Sequence, residues 1–202
     1  MHFLQYWCWP LSRSTRACSS RLFALLVFIL SPALLAENSG LWLDVPFVRQ
    51  EKQGCGSAVV SMLMQYWIGQ SGTGSTAGTR ENAQEKTIQT ALYSPGAKGV
   101  YGSDMERYLH EAGFSTFRFA GDWGDLRQHL SKGRPLIVCL QPKSSRDPLH
   151  YVVVTGLGRD QGSVLLNDPA RGKLIEENGE HFEKEWKATG HWTLLVLPQH
   201  GP

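Results

Sequence analysis

A cysteine flanked by glycines stands where a helix is predicted to begin. In Gly54-Cys55-Gly56 the thiol follows a glycine-containing turn and precedes a run whose apolar residues recur at three- and four-residue steps. Because a helix N-terminus favours negative charge, this position favours a thiolate. The flanking glycines leave the sulfur accessible and let backbone N–H groups approach a bound carbonyl. Gly-Cys-Gly is a short pattern that by itself favours a structural cysteine, so Cys55 is a candidate nucleophile only if the chain also supplies a base and a group that orients it.

The other cysteine that follows residue 36 has different surroundings. Cys139 lies within the apolar run Leu136–Leu140, which predicts a buried strand and a core thiol. In an oxidising compartment Cys55 and Cys139 can pair, which would remove the reactive thiol. The sequence leaves that pairing open.

A cysteine nucleophile needs a base that takes its proton and later returns it to the leaving amine, and imidazole does both near neutral pH. His150 opens the apolar run His150–Val154, which predicts a rigid strand that fixes the ring at the edge of a sheet. We therefore expect His150 to be the base. His191 is a weaker competitor, and four other histidines are predicted to be solvated: His110, His129, His181 and His200.

A third group must hold the imidazole in the right tautomer. Asp168 follows the run Ser163–Asn167, which is predicted to form a hairpin with His150–Leu157. If the hairpin turns near Arg159, positions 150 and 168 lie opposite each other, with Cβ atoms about 5 Å apart when the side chains share a face. An aspartate before a proline is also a common turn residue. Two further aspartates are predicted to lie in a loop and at the hairpin tip: Asp147 and Asp160.

The tetrahedral oxyanion formed by thiolate attack needs hydrogen-bond donors, and the Cys55 backbone N–H with an upstream side-chain amide would supply them. Gln50 and Gln53 are the candidates. Gln53 is two residues from the nucleophile and folds back with difficulty, whereas Gln50 is five residues away across Gly54. Gln50 is the expected donor.

Residues 1–36 have the pattern of an export signal. Basic residues up to Arg21 precede the apolar run Leu22–Leu30, and Ala36 provides a small residue at the predicted cut. The full run Leu22–Leu35 is shorter than the roughly 20 residues that cross a bilayer core. We predict a signal peptide over 1–36, one domain over 37–202, and a periplasmic or extracellular location. An uncleaved anchor is the alternative, and it would be the domain's contact with a membrane.

Charge and motifs exclude several classes of function. The chain has 20 basic and 18 acidic residues, and three of the basic ones lie in residues 1–36, so residues 37–202 have a net charge of −1. This balance does not favour nucleic-acid binding. The sequence contains no His-Glu-x-x-His helix, no paired Cys-x-x-Cys and no phosphate loop, so neither a metal nor another cofactor is predicted.

The elements that must position these side chains follow from apolar periodicity and from turn residues. Helices come first and an antiparallel sheet later, which is the order of an α+β fold. Residues 69–79, rich in Gly, Ser and Thr, are predicted to be a mobile surface loop, either a spacer or a flap beside the substrate. The predicted helices are Cys55–Ile68, Gln84–Tyr93, a helix capped by Ser103 and Glu106, and one capped by Asp122; the predicted strands are Leu41–Phe47, Phe114–Phe117, Leu136–Leu140, His150–Leu157, Ser163–Asn167 and Trp192–Leu197.

Three motifs in order carry a family resemblance. They are the stretch Val45–Gln50 followed by Gly54–Gly56, the run His150–Val154, and Asn167–Pro169. Together they resemble the bacteriocin-processing cysteine peptidases, which cut leader peptides after a double glycine, and their standalone papain-like relatives. The match spans roughly Leu41–Leu197. Many members of that group carry Asp-Cys-Gly at the nucleophile, whereas Gly54 stands in place of that aspartate here.

The resemblance implies a papain-like fold in which the nucleophile helix packs on an antiparallel sheet that supplies the base. It assigns Cys55 as nucleophile, His150 as base, Asp168 as the residue that orients it and Gln50 as oxyanion donor, with a peptide or protein as substrate. Two other functions remain open. One is an amidase or acyl transferase with the same triad, and the other is a papain-like binding module whose thiol is inactive or oxidised.

Overall fold

Helices precede most of the strands along the chain, as the order of the apolar patterns predicts. The computed structural model describes residues 40–70, 78–142, 148–159 and 162–199. Predictions for residues 1–36, for Asp147, Asp160 and His200, and for most of the loop 69–79 lie outside these ranges. The elements in chain order are β1 (Leu41–Trp42), α1 (Cys55–Gln70), α2 (Glu85–Leu92), α3 (Gly102–Glu111), β2 (Phe114–Ala120), α4 (Trp123–Ser131), β3 (Leu136–Leu140), β4 (His150–Leu157), β5 (Ser163–Asp168), β6 (Gly172–Asn178), α5 (Gly179–Lys187) and β7 (Trp192–Pro198).

The strands of the described residues form one antiparallel sheet in the order β2-β7-β3-β4-β5-β6, with β1 paired to β4. Helix α1 packs on β4 and β7. This arrangement confirms the expected α+β fold, with the helix that begins at Cys55 packed against the sheet. In the described part of the chain, no helix is long and apolar enough to span a bilayer.

The central strands are buried on both faces, because successive side chains of a strand point to opposite sides. In β3, Ile137 and Cys139 pack with α1, α2 and α3 on one face. Leu136, Val138 and Leu140 pack with α4 and α5 on the other face. The same alternation continues in β4. Two helical layers therefore hold the start of β4 in a fixed position.

Two predicted boundaries are wrong for structural reasons. The first strand ends at Trp42 rather than Phe47, because β3 pairs with β4 at residues 150–154 and leaves β1 only Gly156 and Leu157 along that side of β4. Helix α3 begins at Gly102, one residue before the predicted Ser103 cap, so Ser103 lies within the helix, and Tyr101 at the N-cap makes no side-chain capping bond. The capping box at Asp122 is confirmed.

Asn167 joins three segments around the site. It is fully buried; its Nδ2 donates to the Val45 carbonyl at 3.0 Å, and its Oδ1 accepts from the Leu174 N–H at 3.0 Å. We expect Asn167→Ala to lower the free energy of unfolding by about 2–4 kcal/mol, because it removes two hydrogen bonds and leaves the buried Val45 carbonyl unpaired. Urea titration measures this change.

The matched control is Asn178→Ala, since Asn178 is exposed and caps α5 through the N–H groups of Glu180 and His181. Losing that cap should cost about 1 kcal/mol. Equal losses in the two variants would contradict the role assigned to Asn167.

Candidate active site

The N-terminus of α1 opens into a cleft of about 840 Å³. Cys55 is the first residue of α1, and it is half-buried. Because α1 packs on β4, its first residue lies near the first residue of β4, His150. Gln50 lines the same cleft. The structure therefore brings Cys55, His150 and Gln50 to one cavity.

Gly56, which follows Cys55, makes room for one wall of this cleft. A Cβ atom on Gly56 would lie 2.7 Å from the Cβ of Val100, so only glycine lets the segment of Val100 pack here. Residues 96–102, which contain Val100, line the cleft. Sequence reasoning assigned Gly56 to sulfur accessibility and missed this packing role.

The first turn of α1 is also tied to α2. Ser57 is buried, and its Oγ lies 2.9 Å from the Gly54 carbonyl oxygen and 2.9 Å from Glu85 Oε1. A Cβ on Gly54 would lie 3.1 Å from the same Glu85 oxygen. The Glu85 carboxylate of α2 thus lies beside Gly54. Many peptidases of the group that this sequence resembles carry aspartate at the position of Gly54.

His150 and Asp168 are hydrogen-bonded. His150 Nε2 lies 2.8 Å from Asp168 Oδ1, with 18% of the His150 side chain and 5% of the Asp168 side chain exposed. Because a carboxylate only accepts, Nε2–H donates and the other ring nitrogen, Nδ1, is left for another partner. Cys55 lies near enough to His150 to raise the pKa of the ring, and both side chains line the cleft. Cys55, His150 and Asp168 thus lie in a row.

The hairpin that joins these residues differs in register from the prediction. Strands β4 and β5 pair antiparallel as expected, but Val153 pairs with Asn167, and a bulge follows between Val154 and Gly156. Continuing this register places Asp168 across from residue 152 rather than 150. Because the displacement is two residues, His150 and Asp168 still share a face, and the contact forms diagonally.

The surroundings of His150 favour its protonated form, the imidazolium. Burial lowers the pKa of His150, but the hydrogen bonds and negative charges of Asp168 and Cys55 outweigh burial and raise that pKa to about 9. Burial would raise the pKa of Asp168, yet the hydrogen bonds from His150 and from the N–H groups of Ala170 and Arg171 hold it below its usual range. At neutral pH the pair is a carboxylate beside a cation.

The upstream glutamines differ in their contacts. Gln50 is half-buried, its backbone N–H donates to the Pro169 carbonyl at 3.1 Å, and its side-chain Oε1 is buried with no hydrogen-bond partner among the described residues. Gln53 is exposed, and its Oε1 accepts from the Tyr93 hydroxyl at 2.6 Å. The bond to Pro169 fixes Gln50 next to the turn that follows Asp168.

The other sequence candidates lie elsewhere. Cys139 is 2% exposed in the core, and burial, with the charge of Cys55, raises its pKa to about 12. Both described cysteines are free thiols. Of the histidines in the described ranges, His150 is the one that lines the cleft; His191 instead pairs with Glu183 at 2.8 Å. Among the described residues, no three His, Cys, Asp or Glu side chains are grouped to hold a metal ion.

A cysteine at a helix start facing a histidine at a strand start, within this α+β fold, defines the papain-like cysteine-peptidase class. A family model described as the Peptidase_C39 like family matches residues 42–194, and the chain belongs to that family. None of the curated proteins compared with the chain matches it.

Solved structures with the same fold include three peptidase domains. The peptidase domain of Streptococcus ComA, a bifunctional ABC transporter of a quorum-sensing pathway, is 22% identical with a TM-score of 0.57, covering 76% of this chain and 98% of that one. A double-glycine-motif protease from an AMS/PCAT transporter, solved with its leader peptide, is 18% identical with a TM-score of 0.55, covering 78% and 94%. A C39-like peptidase from Bacillus anthracis is 16% identical with a TM-score of 0.60, covering 78% and 97%.

Proposed function

We propose that the protein hydrolyses peptide bonds with Cys55 as the nucleophile. The observation that carries this proposal is that Cys55 and His150 line one cleft while His150 is hydrogen-bonded to the buried Asp168. The Cys55 thiolate attacks the peptide carbonyl carbon, and the electron pair of the carbonyl moves to its oxygen. When the C–N bond breaks, the His150 imidazolium gives its proton to the leaving amine, and a thioester remains on Cys55.

The second half of the cycle uses the same residues. His150, now neutral, takes a proton from water, and the resulting hydroxide attacks the thioester carbonyl. The C–S bond breaks, the carboxylic acid leaves, and the thiolate–imidazolium pair forms again. Asp168 orients the ring through both halves and stabilises its charged form.

The oxyanion is stabilised by Gln50 and by the backbone at the start of α1. The first N–H groups of a helix have no acceptor within the helix, so the Cys55 N–H is free to donate. The Gln50 side chain lines the cleft, and its backbone is anchored at Pro169. Its Nε2 is the second donor in this proposal.

The substrate class is supported by the shape of the cleft and by a neighbour in fold. A second hollow of about 570 Å³ shares Gly102, Leu149 and Tyr151 with the cleft, so the binding surface extends beyond the nucleophile. This length suits an extended chain. The transporter protease was solved with a peptide, which supports a peptide or protein substrate here.

Digestion of a peptide library tests the proposal and separates it from the two other functions. The purified protein should release peptides with new carboxylate ends, and prior alkylation with iodoacetamide should abolish them. A primary amine added to the reaction distinguishes acyl transfer. If the new C-terminal ends of the products all carry this amine instead of a carboxylate, the protein is an acyl transferase. Cleavage that survives alkylation of Cys55, or the absence of any reaction, would overturn the proposal, and the latter favours a binding module.

The rate of cleavage should fall as the pH rises through about 9, because the leaving amine needs the proton of His150 and the pKa of that ring is raised to about 9. The raised pKa means that the imidazolium persists well above the ordinary histidine range. Initial rates on one peptide across the alkaline range give the inflection, with circular dichroism checking the fold at each pH. An inflection near 6.5, the ordinary value, would contradict the proposed pairing.

We also propose that the domain acts outside the cytoplasm after cleavage behind Ala36. The proposal is supported by the basic residues followed by an apolar run in residues 1–36. N-terminal sequencing of protein recovered from the periplasm or medium tests it. A protein that begins at Glu37 supports cleavage, and an intact N-terminus in the membrane fraction supports the anchor instead.

A further inference from the structure

An arginine lies on the side of Asp168 that His150 leaves free. Asp168 Oδ1 is 2.8 Å from His150 Nε2 and accepts from the N–H groups of Ala170 and Arg171 at 2.9 and 3.2 Å. The other oxygen, Oδ2, is 4.0 Å from Arg171 Nε. One residue thus contacts the carboxylate twice, through its backbone and through its charge.

The same guanidinium is held by a second carboxylate. Arg171 Nη1 donates to Glu177 Oε2 at 2.5 Å, and only 16% of the Glu177 side chain is exposed, against 53% of Arg171. Glu177 Oε1 lies 3.1 Å from His181 Nδ1, and His181 Nε2 lies 3.5 Å from Glu185. Arg171 is therefore shared between two carboxylates. Asp168 belongs to the row with His150, and Glu177 lies outside it.

We propose that Arg171 is a positioning residue that acts on His150 through Asp168, and that Glu177 limits this action by competing for the guanidinium. The proposal rests on the proposed function, in which Asp168 orients the ring. The geometry supports it because Arg171 contacts neither Cys55 nor the cleft, yet its charge faces the oxygen of Asp168 that His150 does not use.

The other charged groups around Arg171 come from four elements and one upstream segment. Those on the four elements line, with Arg171, a hollow of about 480 Å³. Arg49 approaches the same turn, with Nη1 3.4 Å from the Ala170 carbonyl oxygen. The titratable groups to consider are Asp168 on β5, His150 on β4, Glu177 on β6, and His181 and Glu185 on α5.

Substitutions of Arg171 and of Glu177 should shift the pKa of Asp168 in opposite directions. Arg171→Gln removes a positive charge beside Asp168, so the pKa of the Asp168 carboxyl rises and the carboxylate is lost at a higher pH as the solution is acidified. Glu177→Gln removes a negative charge and releases the guanidinium toward Asp168, so the pKa of Asp168 falls. Because Arg171 is half-exposed, we expect each change to be about half a pH unit and smaller at high salt.

Carboxyl-carbon NMR titration of Asp168 in the full-length protein tests this directly, with Asp168→Asn identifying the resonance. The inflection should move up in Arg171→Gln, down in Glu177→Gln, and back toward wild type in Arg171→Lys, which keeps the charge. The matched control is Arg107→Gln, because Arg107 forms surface ion pairs with Asp104 and Glu111 on α3. The acid limb of peptide cleavage should move in the same directions.

An unchanged Asp168 inflection in Arg171→Gln, or a change equal to that in Arg107→Gln, would overturn the inference. So would a loss of rate that is uniform across pH, since that is what a merely structural residue gives. The NMR readout needs no substrate. A wild type that cleaves no peptide but titrates as expected would overturn the proposed function while supporting the link from Arg171 to Asp168.

Discussion

Cys55→Ala should reduce the rate of peptide cleavage at least about a thousandfold, because no other group can form the thioester. Of the two described thiols, Cys55 is the one that lines the cleft, together with His150. The measurement is kcat/KM on a peptide identified from the library. Cys55→Ser should be similarly inactive, since a hydroxyl in the same place is a far weaker nucleophile beside an imidazole.

The matched control for this loss is Cys139→Ala. Cys139 is the other free thiol of the described residues and lies on β3, but it is buried and its raised pKa keeps it protonated. Its variant should lose some stability and keep its rate within a few-fold of wild type once it is folded. Thermal melting separates loss of fold from loss of chemistry. Residual wild-type activity in Cys55→Ala would assign the nucleophile elsewhere.

His150→Gln should lower kcat/KM by about a hundredfold to ten-thousandfold, because the amide carries no titrating proton to give to the leaving amine. Asp168→Asn should also lower it, since an amide cannot stabilise the imidazolium as a carboxylate does. The two losses should not add in the double variant, because Asp168 acts through His150.

A second histidine–carboxylate pair provides the control for His150→Gln. His191 lies 2.8 Å from Glu183, the same separation as in the His150–Asp168 pair, but neither residue lines the cleft. His191→Gln should leave kcat/KM within a few-fold of wild type. If both substitutions reduced the rate equally at equal stability, His150 would have no special role.

Much of the fold was predictable from local patterns. The apolar steps of Cys55–Ile68 predicted α1, and Asp122 predicted the cap of α4, because both features depend on neighbouring residues. The prediction of Ser103 as the cap of α3 is wrong because of a tertiary contact. A Cβ on Gly102 would lie 3.0 Å from the Trp192 ring, so Gly102 packs against that ring, and the helix begins there.

Strand β6 and helix α5 were not predicted. Three of the seven residues of β6 are charged. The strand lies at the edge of the sheet, where both faces are only partly covered, so its apolar alternation is weak. Helix α5 carried a signal that sequence reasoning missed. Asn178 caps it, and Phe182 and Trp186, four residues apart, are both fully buried. These elements contribute Glu177 and His181 to the charges near Asp168.

The residues of the candidate site were easier to predict than the contacts that hold them in place. Residue chemistry selected Cys55, His150, Asp168 and Gln50, and the structure places all four around one turn and one cleft. The contacts that hold them depend on non-local register and packing, which no single stretch of sequence encodes. Examples are the Val100 segment against Gly56, the buried amide of Asn167, and the diagonal contact caused by the shifted β4–β5 register.

The central claim is that His150 interacts at once with Asp168 and with Cys55, and ring-carbon NMR of the folded protein tests it most directly. With the resonance identified from His150→Gln, the titration should show an inflection near pH 9 that moves down in Cys55→Ala and in Asp168→Asn, because each removes a partner that raises the pKa of His150. An inflection near 6.5 that neither substitution moves would contradict the account.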